Sequence, residues 1–256
     1  MADRSAEPWY ATAAYLYVLH LDGLALAWEY LRRHPDYRRA WLRRRRQPDA
    51  AERWGLRLLE DPDLDARDAH PAWFPDHDAV VQLYPDADPP PDALCFEFWK
   101  LPGHKHLTHD GKRLVLVARW PGCCLRFVLA PGLADGMAYA YAIRACAVPC
   151  ARYHALAVEL DRLAAAADAA PVATARPRPS LSQLLEVHTL QALDATLAGA
   201  SLREVAEGLF GVDAVAAEWH KDSALRARVR RLVRRSEALM RGGYRTLAQL
   251  PPVTAQ

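Results

Sequence analysis

Arginine is the residue type whose number and spacing in this sequence indicate a chemical role most directly, the binding of anions. The stretch SALRARVRRLVRRSEALMRGGYR, residues 223–245, carries eight arginines. From Lys221 to Arg245, nine basic residues stand against Asp222 and Glu237, a local net charge of +7, whereas the whole 256-residue chain has a formal net charge of only +2. Guanidinium groups bind phosphate both by charge and by paired hydrogen bonds. The stretch is therefore either a solvated helix face or an anion-binding surface.

A helical wheel separates the two kinds of residue in this stretch. One arc, predicted to face the core, holds Leu225, Val229, Leu232, Ser236, Leu239 and Met240. Roughly opposite lie Arg230, Arg231, Arg234 and Arg241, with Arg226, Arg228 and Arg235 on the shoulders. Like charges four residues apart, such as Arg226 and Arg230, each oppose helix formation by about 0.2–0.5 kcal/mol. A polyanion relieves that repulsion and releases counterions, which favours DNA as the ligand.

Three capped helices are predicted to position these arginines. Ser180 caps a helix that ends at Gly199, Ser201 caps LREVAEGLF, and Ser223 caps the basic helix. This order is typical of a helix-turn-helix module, although the connection containing Trp219 is longer than the usual 3–4 residues.

In helix-turn-helix geometry, the start of the basic helix enters the major groove of double-stranded DNA. The residues expected in the groove are Ser223, Arg226, Ala227 and Arg230. Arg203, Arg234 and Arg241 are expected to contact phosphates, and Arg228, Arg231 and Arg235 complete the predicted DNA-binding set.

The remaining sequence predicts an α+β chain. A helical module (1–80) precedes a small antiparallel β-meander with a packed helix (81–167), an Ala/Pro linker (168–180) and the helix-turn-helix domain (181–256). Strands are predicted at 93–101, 112–120 and 123–130, and helices at 36–46 and 135–167. A second arginine run, residues 31–46, also has a net charge of +7. It suits either a second DNA contact or a solvated or subunit-facing helix, and we favour the latter.

Histidine and cysteine residues form two candidate metal-binding sets and one candidate catalytic nucleophile. His104, His106 and His109 form one candidate metal set, and Cys146, Cys150 and His154 form the other. Neither has a convincing ligand spacing, because His109 leaves the strand face of the other two histidines and Pro149 interrupts the second set. A cysteine nucleophile assembled from Cys95, Cys123 or Cys124 with His70 or His154 has no local signature. We therefore expect no catalytic residues, no metal and no cofactor.

The composition of the chain indicates its cellular compartment. Five cysteines, one an adjacent pair, do not form the even framework of a secreted disulfide scaffold. No apolar stretch approaches eighteen residues, and a cytoplasmic protein is expected.

The chain also carries a family resemblance. LQALDATLAGASLREVAEGLFG followed by SALRARVRRLVRRSEALMRGGYRTL resembles the C-terminal DNA-binding domain of RovC-like transcription factors. AWEYLRRHPDYRRAW with RWGLRLLEDPDLDA resembles the transcriptional-regulator-like domain fused to it in FseA-type excision activators.

The resemblance implies a transcriptional activator of type VI secretion genes or of mobile-element excision and conjugation. It also implies a promoter as the DNA partner, a homo-oligomer such as a hexamer, a small antiactivator protein, and RNA polymerase as a further partner. The alternative is a protein-binding regulator that sequesters a related activator. A domain with that role has less reason to keep so dense a guanidinium face.

Overall fold

A computed structural model of the chain describes residues 7–46, 48–73, 80–101, 103–109, 113–120, 123–142, 157, 179–248 and 250. It confirms the α+β class. The chain forms two compact units: Met1–Pro71 with Pro177–Gln256, and Ala72–Arg176. Within the described ranges, no helix is long and apolar enough to cross a membrane.

The first unit begins with short helices whose ends follow from their capping residues. A 3-10 helix, Thr12–His20, leads to α1, Gly23–Leu31, where the Asp22 carboxylate accepts a hydrogen bond from the Ala25 amide at 2.7 Å. Helix α2, Pro35–Leu42, starts with proline at its first position, where no amide hydrogen is needed. A second 3-10 helix spans Pro48–Trp54.

Helix α2 is shorter than the predicted helix 36–46. Its C-cap, Arg43, has φ −96° and ψ 3°, and Arg43–Arg46 continue in turns. The Arg44 guanidinium carbon lies 3.7 Å from the Trp41 ring centroid, and the Arg44 amide bonds three residues back to the Trp41 carbonyl. The prediction was therefore wrong at its C-terminal end, where tight turns replace the last helical turn.

The C-terminal helices begin at the predicted serine caps. They are α3, Leu181–Leu197; α4, Leu202–Phe210; α5, Val212–Glu218; α6, Ala224–Ala238; and α7, Tyr244–Leu247. Ser180 and Ser201 each form a reciprocal capping box, with Gln183 and Glu204 respectively. A π-helical turn, Leu239–Gly243, joins α6 to α7. Helix α5 was not predicted, and it occupies much of the long connection between α4 and the basic helix.

Residues from both ends of the chain share the core of the first unit. Trp28, Tyr30 and Leu31 of α1 are fully buried, as are Leu190 and Leu193 of α3. A Cβ added at Gly23 would lie 2.9 Å from the Leu247 carbonyl oxygen, so α1 and α7 meet at a position that only glycine fits. This close packing is not visible in the linear pattern.

The second unit contains a mixed five-stranded sheet. Its strands are β1, Val80–Pro85; β2, His104–His109; β3, Leu114–Trp120; β4, Cys123–Leu129; and β5, Tyr139–Ala142. Their spatial order is β2-β3-β4-β1-β5, with β1 parallel to β4 and every other pair antiparallel. The predicted strands at 112–120 and 123–130 are confirmed as β3 and β4. The sheet nevertheless exceeds the predicted meander, because β1 adds a parallel pairing.

Two predictions in this unit were wrong. Residues 93–101 form a bridge between Cys95 and Ala138 and a 3-10 helix, Phe98–Lys100, instead of a strand. The Asp135 carboxylate accepts the Phe98 amide hydrogen at 2.6 Å, which draws this segment toward the 134–138 turn. The helix predicted from Asp135 contains strand β5 at Tyr139–Ala142, because pairing with β1 overrides its helical composition. The rest of that helix, apart from Ala157, and the linker before Pro179 lie outside the described residues.

Candidate nucleic-acid interface

The basic helix α6 is fixed by a cap and a narrow buried face. The Ser223 Oγ accepts the Arg226 amide hydrogen at 3.1 Å, and Ser223 is only 6% exposed. Val229, Leu232 and Ser236 are buried where α6 packs against α3 and α4. The Ser236 hydroxyl donates to the Val233 carbonyl at 2.8 Å, so this buried polar group is satisfied within the helix. Of the six residues in the predicted arc, Val229, Leu232, Ser236 and Met240 are buried, and Leu225 and Leu239 are half-buried.

The opposite face of α6 is lined by arginines. The exposed ones are Arg228, Arg230, Arg231, Arg234, Arg235 and, in the following turn, Arg241. Arg226, beside the cap, is half-buried. The predicted outward orientation of Arg230, Arg231, Arg234 and Arg241 is therefore confirmed.

Two of the predicted DNA-binding arginines already have carboxylate partners. Arg235 forms an ion pair with Glu186 of α3, whose other carboxylate oxygen accepts a hydrogen bond from the Tyr30 hydroxyl at 3.0 Å. Arg203 of α4 lies 3.1 Å from the Glu207 carboxylate one turn later. These contacts neutralise both charges locally.

Other arginines of the set keep their charge available. In the described part of the chain, no carboxylate pairs with Arg230, Arg231, Arg234 or Arg241. Arg234 donates from Nε to the Arg230 carbonyl at 3.4 Å, a contact that leaves its positive charge unneutralised. These four residues form a positive face without internal compensation.

The first turns of α6 hold two further arginines in defined positions. The Arg226 Nε is buried and has no hydrogen-bond partner among the described residues. The Arg228 guanidinium carbon lies 4.9 Å from the Phe210 ring centroid, a cation–π contact to the end of α4. Phe210 in turn packs edge-on against His188, whose pKa is lowered by burial and by the Arg228 charge. The Ser223 hydroxyl is also engaged, because it caps the helix.

Helix α7, which follows the basic helix, contacts the 3-10 helix Pro48–Trp54. The Tyr244 hydroxyl donates to the Trp54 carbonyl at 3.3 Å, and Arg245 Nη1 donates to the Arg53 carbonyl at the same distance. The position of Arg53 beside α7 could not be predicted, because Arg53 belongs to a 3-10 helix about 190 residues earlier in the chain.

The histidine and cysteine sets fall in the second unit or outside the described ranges. On β2, His104 and His106 project from one face of the strand and His109 from the other, as expected for residues an odd number of positions apart. Among the residues that the structure describes, no group of three metal-ligating side chains converges. Cys95 is an exposed thiol, while Cys146, Cys150 and His154 lie outside the description.

Comparison with protein-family models assigns a class to this architecture. Residues 8–58 match a proteobacterial transcriptional regulator-like domain, and residues 78–125 match a domain of unknown function. Residues 130–249, which include α3 to α7, match a family described as a type VI secretion (T6SS) transcription factor DNA-binding domain. The chain therefore has the architecture of a DNA-binding transcriptional regulator, and the resemblance inferred from the sequence is confirmed. No curated protein matches the chain.

Proposed function

We propose that this chain binds double-stranded DNA sequence-specifically through α6 and regulates transcription from the bound promoter without enzymatic activity. The observation that carries the proposal is the outward face of α6, where Arg230, Arg231, Arg234 and Arg241 are exposed without carboxylate partners in the described structure. The match of this segment to a transcription factor DNA-binding domain supports the same ligand.

Different arginines serve different parts of the duplex in this proposal. Arg226 and Arg230, near the helix N-terminus, contact base edges in the major groove, where arginine pairs well with guanine. The helix dipole adds positive potential at this end. Arg231, Arg234 and Arg241 contact phosphates, which set affinity and register.

The remaining residues of the predicted DNA-binding set stabilise the helices of the interface. Ser223 caps α6, Arg228 stacks on Phe210, Arg235 pairs with Glu186, and Arg203 pairs with Glu207. We assign these four residues to the scaffold, because each is already engaged in the free protein.

The family resemblance supports a proposal for the regulated genes. We propose an activator of type VI secretion or of mobile-element excision and conjugation genes, which assembles as a homo-oligomer on its promoter. The type VI secretion part of this proposal is supported by the description of the matched family.

Selection from fragmented genomic DNA tests the function. The purified chain is mixed with the fragments at ~100 mM salt, where nonspecific binding alone is visible, and retained fragments are sequenced. We expect a shared motif upstream of a small number of operons and higher expression of a reporter placed behind it. Retention of no DNA would overturn the proposal and would favour a regulator that acts by binding protein. Lower reporter expression would identify a repressor instead of an activator.

A further inference from the structure

Helix α7, which follows the basic helix, and the 3-10 helix Pro48–Trp54 form one packed corner. Tyr244 is 3% exposed and its hydroxyl bonds to Trp54, while Arg245 bonds to the Arg53 carbonyl. A Cβ added at Gly55 would lie 2.2 Å from Leu250 Cδ1, and Gly55 has φ +78°. These contacts pack the two segments against each other. Arg53 is therefore held in a fixed position beside the last turns of the arginine-rich segment.

Arg53 and Arg245 are neighbours at this corner, because Arg245 Nη1 donates to the Arg53 carbonyl at 3.3 Å. The positive charges of Arg53 and Arg241 both act on His34, whose pKa is lowered first by burial and then, against the opposing charge of Asp36, by these arginines. The charges of Arg53 and Arg245 both act on the Tyr244 hydroxyl. Arg53 lies beside Arg245, and Arg241, whose charge acts on His34 together with that of Arg53, completes one positive corner.

The positive charge of Arg53 at this corner is available to a ligand. Arg53 is exposed and its guanidinium carbon lies 4.7 Å from the centroid of the Trp54 ring, with no carboxylate bonded to it within the described ranges. The acid that acts on His34, Asp36, is already bonded to Arg39. The Trp54 ring orients the Arg53 guanidinium, so less conformational entropy is lost when an anion binds.

The corner continues the outward face of α6. Arg241 is both a member of that face and a member of the corner. From Arg226 to Arg241, at about 1.5 Å per residue, the arginines cover about 22 Å of helix. Duplex DNA carries one negative charge per ≈ 1.7 Å of its axis, so phosphates continue beyond the length that α6 covers.

We propose that Arg53, together with Arg241, binds backbone phosphates of the duplex flanking the segment read by α6. The inference rests on the proposed function and extends the DNA interface onto the N-terminal regulator-like segment. Phosphate contacts of this kind carry no sequence information, so Arg53 contributes equally to binding of the promoter and of random DNA. The N-terminal segment then fixes the angle at which the duplex leaves α6.

Salt dependence of DNA binding by the full chain tests this inference. The affinities of the wild type and Arg53→Gln for a 30-base-pair duplex are measured between 50 and 200 mM salt. Losing one phosphate contact lowers the slope of log K against log salt by about 0.9. The wild type is then expected to lose about threefold more affinity than Arg53→Gln over this range.

Two further variants isolate the contact. Arg45→Gln removes the same charge from the exposed turn after α2 and is expected to keep the wild-type slope. Arg53→Lys keeps the charge and is expected to keep the wild-type slope as well. An equal drop in slope for Arg45→Gln would show that the effect of Arg53→Gln comes from the change in net charge alone. A drop for Arg53→Lys would show that the substitution disturbs the structure. Either result overturns the inference.

The outcomes also separate this inference from the proposed function. If the wild type binds DNA but Arg53→Gln retains the wild-type slope, the extension onto the N-terminal segment is wrong and the role of α6 stands. If the wild type binds no DNA, both fail together. An Arg53→Gln slope that falls on promoter and random duplexes alike supports the extension.

Discussion

Arg33 and Asp194 form a two-pronged ion pair between the segment after α1 and helix α3. Arg33 Nε lies 2.5 Å from Asp194 Oδ1, and Nη2 lies 2.8 Å from Oδ2. The Tyr15 hydroxyl donates to the same carboxylate at 2.8 Å, and Glu29 pairs with the other side of the Arg33 guanidinium. This network ties the regulator-like segment to the helix on which α6 packs, so the stability of the DNA-binding helices depends on N-terminal residues.

Asp194→Asn is expected to destabilise the first unit strongly. Removing one partner of a largely buried ion pair leaves Arg33 without half of its compensation, which typically costs about 3–5 kcal/mol. Asp63→Asn breaks the exposed pair with Arg38 and is the matched control, with an expected change of about 0–1 kcal/mol. Urea unfolding followed by tryptophan fluorescence measures both changes. Similar losses in the two variants would refute the role assigned to the Arg33–Asp194 pair.

Acid sensitivity is expected to depend on Glu29. Burial alone opposes ionisation of this carboxyl group, but the charges and hydrogen bonds of Arg33 and Arg32 outweigh burial and lower the pKa of Glu29 below its ordinary value of 4.5. A folded-state pKa below the unfolded value gives stability that is present above about pH 4.5 and is lost as pH falls through the folded value.

Glu29→Gln should therefore show a flatter fall in stability below pH 5 than the wild type, together with lower stability at pH 7. Urea unfolding at several pH values measures this difference. Glu52→Gln, which removes an exposed carboxylate, controls for the loss of one negative charge. If the stability of Glu29→Gln depended on pH as that of the wild type does, Glu29 would not be the source of the acid sensitivity.

Arg230→Gln is expected to stabilise the free protein while weakening its DNA binding. Arg230 lies four residues from both Arg226 and Arg234, and each like-charge pair opposes the helix by about 0.2–0.5 kcal/mol. Removing both repulsions should therefore raise the unfolding free energy by about 0.4–1 kcal/mol. Thermal unfolding at low salt measures the gain, and 1 M salt should abolish it by screening. A loss of stability at low salt would show that the Arg230 side chain supports the fold.

Arg226 and Arg230 together are expected to determine specificity. Changing both to alanine should lower affinity for the selected promoter fragment more than for random DNA, with about 1–3 kcal/mol lost per base contact. Competition binding with both duplexes at one salt concentration gives the ratio of the promoter affinity to the random-DNA affinity. Equal losses on the two duplexes would reassign both residues to phosphate contacts.

Local features of the interface could be predicted from the sequence. Ser180, Ser201 and Ser223 cap helices because a short hydroxyl side chain reaches the free amides of the first turn, and a pattern of a few residues carries that information. The buried side of α6 is equally local, since Val229 and Leu232 recur at helical spacing.

Contacts between distant segments could not be predicted. Asp194 lies 161 positions from Arg33 and Arg245 lies 192 from Arg53, and nothing in either neighbourhood indicates the partner. Strand β1 was missed for a similar reason, because this six-residue segment, which contains Gln82, acquires its structure by pairing with β4 and β5. Which arginines are free for a ligand also depends on tertiary contacts, as the pairing of Arg235 with Glu186 illustrates.

The most direct test of the central claim compares Arg234 with Arg203 in a fluorescence-anisotropy titration of labelled duplex DNA across salt concentrations. Both residues are exposed and each variant, Arg234→Gln or Arg203→Gln, loses one positive charge. Because Arg203 is already paired with Glu207, we predict detectable wild-type binding at ~100 mM salt, a slope reduced by about 0.9 in Arg234→Gln, and an unchanged slope in Arg203→Gln. Absence of wild-type binding, or equal slopes in the two variants, would contradict the account.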